Sequence, residues 1–293
     1  MAKARALDKR RKSIKNIRKI TRTMELVSTA QFRRAMERAV AADSYAERLV
    51  SLVRDLLQSG SEIQHPLLIP RETKKRAALF LLTANRGMCG GYNSGVIRAG
   101  LARLEELKRE YENVELFVVG KRGVAFMSYR GIEVARSYTQ FNDKPTLDEV
   151  MTIANDCLAR YRSGDLDRID ISYSRFVSLS KQYPTSETLL PISELSNGNE
   201  KSEVIERTLD YEFLPSALDI FEEVLPNAFR VKLFKAFLDA AVSEQIARMM
   251  AMKAATDNAD QMISALTTTY NRARQSQITN EIIEVISGAS ALQ

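Results

Sequence analysis

Apolar and small residues recur every three or four positions through both ends of this 293-residue chain. At the N-terminal end one seam runs through Ile14, Ile17, Thr21, Met24, Ser28, Gln31, Ala35, Arg38, Ala42, Tyr45, Leu49, Leu52 and Leu56. At the C-terminal end another runs through Val231, Phe234, Leu238, Ala241, Gln245, Arg248, Met252, Ala255, Ala259, Met262, Leu266, Thr269 and Ala273. A 3.5-residue period kept for about six heptads predicts a left-handed coiled coil. Between the two seams the pattern changes. Residues 77–84 (AALFLLTA) are a continuous apolar run, which predicts a buried parallel strand. Further strands are predicted at 114–120, 132–138, 168–177 and 183–191, and helices at 94–110, 122–129 and 146–162. The βαβ order predicts a parallel sheet covered by helices. This middle region leaves and re-enters at one end of the helical pair, so the two long helices must run antiparallel.

Glycine and proline support the same division. Every proline, and every glycine except Gly288, lies between Gly60 and Pro226. Both residues are poorly tolerated in helix interiors, so their absence permits two helices that could each reach about 90 Å. The expected organisation is an N-terminal helix at 1–60, an α/β insert at 61–226 and a C-terminal helix at 227–293. The seams contain small and polar stretches such as Ser28, Gln31, Ala35 and Arg38. A coiled coil optimised to stand alone would carry Leu or Ile there, so the pair reads as one sheathed by another protein.

Charge sharpens that reading. Residues 1–60 hold 15 Lys/Arg against 6 Asp/Glu, and the first 22 residues alone hold ten basic and one acidic. Such a helix suits an acidic partner, whether nucleic acid, anionic lipid or protein. It is acid-poor like a transit peptide, yet the helical pattern starts almost at once and leaves little to cleave. No run of 18 uncharged apolar residues exists to span a membrane. A single histidine, His65, excludes multi-histidine metal sites, and Cys89 and Cys157 have no metal-ligand spacing.

The loop T-A-N-R-G-M-C-G-G-Y-N-S-G at 83–95 follows the first strand, where α/β folds bind phosphate. It matches neither G-x-G-x-x-G nor G-x-x-x-x-G-K-[ST]. It reads as a tight strand-to-helix turn in which Gly87, Gly90 and Gly91 supply freedom and Cys89 is a packed thiol. Two other function classes stay open at this level. One is a nucleotide-dependent enzyme using this loop. The other is a coiled-coil adaptor that binds nucleic acid or acidic surfaces through the basic helix. The C-terminal segment adds a third clue. Ile278, Ile282, Ile283, Val285 and Ile286 fall on several faces of one helix, more than a single partner helix can cover.

Four segments carry a family resemblance. They are K-I-T-R-T-M-E at 19–25, R-G-M-C-G-G at 86–91, R-M-M-A-M-K-A-A-T-D-N at 248–258 and Y-N-R-A-R-Q-S-Q-I-T-N-E-I-I-E-V-I-S-G-A at 270–289. In that order and spacing, the chain resembles the gamma subunits of F-type ATP synthases, of bacterial type, over essentially its whole length. The resemblance implies an α/β chain: a long antiparallel two-helix coiled coil formed by both chain ends, with a central Rossmann-like parallel-sheet insert. It implies a central-stalk rotor with no catalytic residues, cofactor or metal of its own. This rotor would turn inside a hexamer of three alpha and three beta subunits and couple proton flow to ATP synthesis. Further implied partners are the epsilon subunit and the membrane c-ring, with no nucleic acid. The implied location is peripheral, on the cytoplasmic side of the cell inner membrane. By motif, Met24, Arg248, Arg274, Gln275 and Thr279 match positions facing the catch loop of a beta subunit. Ile282, Ile283, Val285, Ile286 and Ala289 would seat in an apolar bearing. Tyr211 matches a foot residue at the ring and epsilon, in a segment whose flanks depart from the family pattern.

Overall fold

The computed structural model describes residues 2–58, 65–71, 74–141, 144–192 and 217–290. Tyr211 lies outside them. The chain divides into two compact units, Met1–Ala30 with Arg248–Gln293, and Gln31–Ala247. Two long helices contribute to both: α1 (Ala2–Gln58) and α5 (Ala217–Ser290).

The larger unit is built on a five-stranded sheet of order β3-β2-β1-β4-β5. Its strands are β1 (Arg76–Leu82), β2 (Asn113–Val119), β3 (Arg136–Tyr138), β4 (Arg168–Ser178) and β5 (Lys181–Leu190). The first four are parallel, joined by α2 (Tyr92–Glu110), α3 (Lys121–Tyr129) and α4 (Leu147–Arg162). β5 returns antiparallel to β4, because only Leu179 and Ser180 separate them and a parallel return needs a crossover. β3 is shorter than the 132–138 expected from sequence, beginning at Arg136.

Strand alternation divides the core. Ala78, Phe80, Leu82, Phe117, Val119, Ile169 and Ile171 point to one face, under α4 and the first turns of α5. Ala77, Leu79, Leu81, Leu116 and Val118 point to the other, under α2 and α3. Right-handed crossovers require this: α2 and α3 step one way along the sheet, while α4 steps back past β1 and so lies on the opposite face. With helices on both sides, β1 is buried at every position after Arg76, which explains its unbroken apolar run.

The C-terminal helix begins at Ala217, ten residues before Asn227, and contains Pro226. An interior proline removes a backbone hydrogen bond and crowds the preceding turn, at about 3 kcal/mol. Phe221, Leu225 and Phe229, each no more than 1% exposed, pack into the sheet core around it and offset that penalty.

Within each unit α1 and α5 pack antiparallel. In the smaller unit Arg18 pairs with Asp260 at 2.6 Å, Thr256 Oγ1 donates to Thr21 Oγ1 at 2.9 Å, and the Arg11 guanidinium lies 4.8 Å from the Tyr270 ring centre. In the larger unit Ala39 of α1 packs with Leu238, Val242 and Ile246 of α5. The seams keep every seventh expected residue: Ile14, Thr21, Ser28, Ala35 and Ala42 on α1, and Met252, Ala259, Leu266 and Ala273 on α5 are buried or half-buried. Of the alternate members, Met24, Gln31, Phe234, Ala241, Arg248 and Ala255 are also buried or half-buried, and three give way to the next residue. Ala39 is inside and Arg38 outside; Ile263 and Tyr270 are half-buried, whereas Met262 and Thr269 are exposed. At those three positions the packing steps by four and then three, where the sequence pattern predicts three and then four.

Candidate functional site

The glycine-rich loop after β1 folds onto its own chain. Thr83 is its anchor: its hydroxyl donates to Val119 O at 2.7 Å and accepts from Gly123 N at 2.9 Å. Asn93 Oδ1 accepts from Ala84 N at 2.9 Å, and Asn93 Nδ2 donates to Cys89 Sγ at 3.1 Å. Asn85 Oδ1 accepts from Lys121 N at 3.0 Å. Gly120, at φ 94°, lies so close that a Cβ there would stand 2.1 Å from Thr83 O. These groups are therefore spent on joining β1 to α2 and α3. The space at the carboxyl ends of β1 and β2 is closed by Phe237, Ala240, Ala241 and Glu244 of α5, which leaves a cavity of about 50 Å³. Small-molecule sites occupy about 300–1,000 Å³, so α5 fills the crevice where related α/β sheets hold a nucleotide. Cys89 and Cys157 are both buried, and burial pushes the Cys157 thiol up to about 12, so neither is a ready nucleophile.

The other candidate residues fall in the smaller unit. Met24 is half-buried. Arg248 is only 5% exposed and engaged within the chain. Arg274, Gln275 and Thr279 are exposed on successive turns of α5, and Thr279 Oγ1 donates to Gln275 O at 3.0 Å. Beyond Gln277 every residue from 278 to 287 is exposed, including Ile282, Ile283, Val285 and Ile286 at 53–72%. Ala289 lies in α5, and Tyr211 is outside the described residues. The structure thus places the C-terminal apolar residues together as an uncovered helical segment.

It also reveals a surface that the seam reading missed. Ile17, Ile20 and Val27 are about half exposed and, with Met24, are spaced 3, 4 and 3 apart along α1. Such spacing makes a second apolar stripe on the same helix. Around it stand exposed cations, among them Lys12, Lys15, Lys19 and Arg22. The signal was present in the sequence, since Ile20 and Val27 are apolar residues that the inner seam did not use.

An ATP synthase family model matches residues 3–292, almost the full chain. The chain is also 52% identical to the ATP synthase gamma chain of Rhodopirellula baltica over 295 residues, covering 100% of each. The chain belongs to the ATP synthase gamma family. A gamma chain from Leptospira biflexa is 38% identical over 292 residues, with 100% of each covered. Among solved structures, one chain of the OSCP/F1/c-ring part of the Euglena gracilis mitochondrial ATP synthase superposes with a TM-score of 0.68 at 19% identity. That match covers 99% of this chain and 95% of the other, and shows that the two chains share a fold. No helix among the described residues is long and apolar enough to cross a membrane.

Proposed function

We propose that this gamma-family chain is the central-stalk rotor of an F-type ATP synthase, turning within a hexamer of alpha and beta subunits and linking proton flow to ATP synthesis and hydrolysis. The observation that carries this reading is the uncovered end of α5, where isoleucine and valine are exposed on all sides from 278 to 287. An apolar helix end this exposed marks a site of burial against a partner, and apolar residues on all sides suit a surrounding one. In this reading residues 1–60 and 227–293 form the shaft and 61–226 the foot on the epsilon subunit and c-ring, with Tyr211 in the foot contact. Met24, Arg248, Arg274, Gln275 and Thr279 face the catch loop of a beta subunit, while Ile282, Ile283, Val285, Ile286 and Ala289 turn in an apolar bearing. Arg274 and Gln275 can donate charge-assisted or neutral hydrogen bonds to carboxylates. The chain has no catalytic activity alone. It acts as a mechanical ligand: each face it presents stabilises one nucleotide-site conformation over the others. It sits peripherally on the cytoplasmic side of the inner membrane.

The direct test is reconstitution with alpha and beta subunits, with this chain added or withheld, followed by purification and ATP hydrolysis. A stable complex near three-to-three-to-one, whose turnover depends on this chain, is the expected result. Failure to associate with competent partners removes the reading.

A further inference from the structure

A cluster of charged groups in the larger unit is separate from all the contact residues above. α5 buries Asp239 to 5% exposure. One turn earlier, Lys235 forms an ion pair with Asp43 of α1. From the sheet, Arg175 of β4 and Glu187 of β5 approach to 3.5 Å, and the Tyr173 hydroxyl of β4 donates to Glu187 at 3.1 Å. Lys235, Asp43, Arg175 and Glu187 all act electrostatically on Asp239, and Asp239 acts on Tyr173. The neighbouring residues Leu238 and Val242 pack with Ala39, Ala42 and Phe176, while the four charged side chains around Asp239 keep part of their surface in solvent. The charges balance only when Asp239 is neutral: two cations, Lys235 and Arg175, face two anions, Asp43 and Glu187. Ionising Asp239 adds a third anion with no added cation.

We propose that Asp239 is a proton-operated clamp on the α1–α5 contact. With Asp239 protonated, Lys235 bridges to Asp43 and holds α1 against α5. When the proton leaves to solvent, the Asp239 carboxylate, four residues along the same helix, draws Lys235 from Asp43. The α1–α5 contact then loosens at this turn. Burial is the main cause that pushes the Asp239 carboxyl up to about 7; Lys235 pulls it down and Asp43 pushes it up. The clamp therefore works near neutrality, where an ordinary aspartate is already ionised. Because the folded value is raised above the unfolded one, near 4, the folded chain holds more protons through this window. Stability falls as pH rises from about 4 to 7 and is level above that.

The test uses the full chain. Thermal unfolding is followed from pH 4 to 9, together with amide exchange at residues 36–43 corrected for its intrinsic pH dependence. The expected result is a melting temperature that declines toward pH 7, and protection at 36–43 that falls about tenfold or more between pH 6 and 8. Asp239→Asn abolishes both steps. Asp43→Asn removes a repelling anion, which moves the midpoint of the melting-temperature decline to lower pH, and removes the bridge to Lys235, which abolishes the protection step. His65→Gln leaves both steps in place. No step in the wild-type chain, a step that survives Asp239→Asn, or one abolished by His65→Gln overturns the proposal. If Asp239→Asn does not fold, Asp43→Asn decides: an unchanged or raised midpoint overturns it.

Discussion

Asp170 shows how one residue can hold three elements. It is fully buried on β4 and accepts from Arg103 Nε of α2 at 2.6 Å and Arg168 Nε at 2.9 Å. Arg168 in turn donates to Thr188 Oγ1 of β5 at 2.6 Å. Asp170→Ala takes the shared carboxylate from two partly buried guanidiniums, leaving Arg103 with Glu106 and Arg168 with Thr188; breaking a buried pair from one side costs about 3–5 kcal/mol. Both arginines keep some contact with water, so we expect about 3 kcal/mol, read as a lowered urea midpoint with unchanged slope. This role was not legible in the sequence: nothing in R-I-D-I-S says that its one carboxylate faces inward until strand register and α2 are placed. Met24 is the opposite case, marked by its motif rather than its burial. Half-buried on α1, with Ile20 and Val27 exposed nearby, it has room for a longer cationic side chain. Met24→Lys should therefore leave assembly intact while adding a cation to the rotor contact proposed for Met24. The expected effect is fewer protons pumped per ATP hydrolysed; an unaltered ratio rejects the role given to Met24.

At the scale of elements, the two long helices are held in register by polar as well as apolar groups. Thr256 Oγ1 donates to Thr21 Oγ1, which donates to Arg18 O at 3.1 Å, with both threonines under 10% exposed. Thr21→Val leaves the Thr256 hydroxyl without its cross-helix partner, at about 1 kcal/mol. Making both residues Val removes both hydroxyls while keeping shape, so the double variant should be no worse than either single one. Chemical denaturation of the three variants gives the coupling energy, and strictly additive losses would show that the pair is not coupled. The helices themselves were legible because glycine and proline are absent over long spans. Their phase was legible only in part, because Ile17, Ile20 and Val27 leave the outer face of α1 almost as apolar as the inner one. The start of α5 was obscured for a different reason. Pro226 reads as a boundary locally, and only burial of Phe221 and Leu225 in the sheet core lets the helix run through it. The glycine-rich loop was legible as a turn, but its emptiness of ligand space depends on Phe237 to Glu244 of α5, more than 140 residues away in sequence.

For the whole molecule, the question is whether exposed apolar residues serve folding or assembly, and the end of α5 separates the two. Ile282 and Ile286 are 53% and 60% exposed and sit one turn apart. They contribute little to the stability of the chain alone, where surface substitutions usually stay within about 0.5 kcal/mol. They are also an aggregation hazard, one that a chain with no covering partner has no physical reason to keep. The double variant Ile282→Asn, Ile286→Asn should therefore unfold at nearly the same urea concentration as the wild-type chain and be more soluble. In complexes with alpha and beta subunits it should lower ATP turnover or complex yield, because the proposed bearing would meet two amides without partners in place of two apolar contacts. A large loss of stability in the isolated chain would mean that these residues already bury against this protein, as in self-association, and would remove the bearing role. Unchanged stability joined to unchanged assembly and turnover would leave the exposed segment without the partner that the gamma-family reading assigns to it.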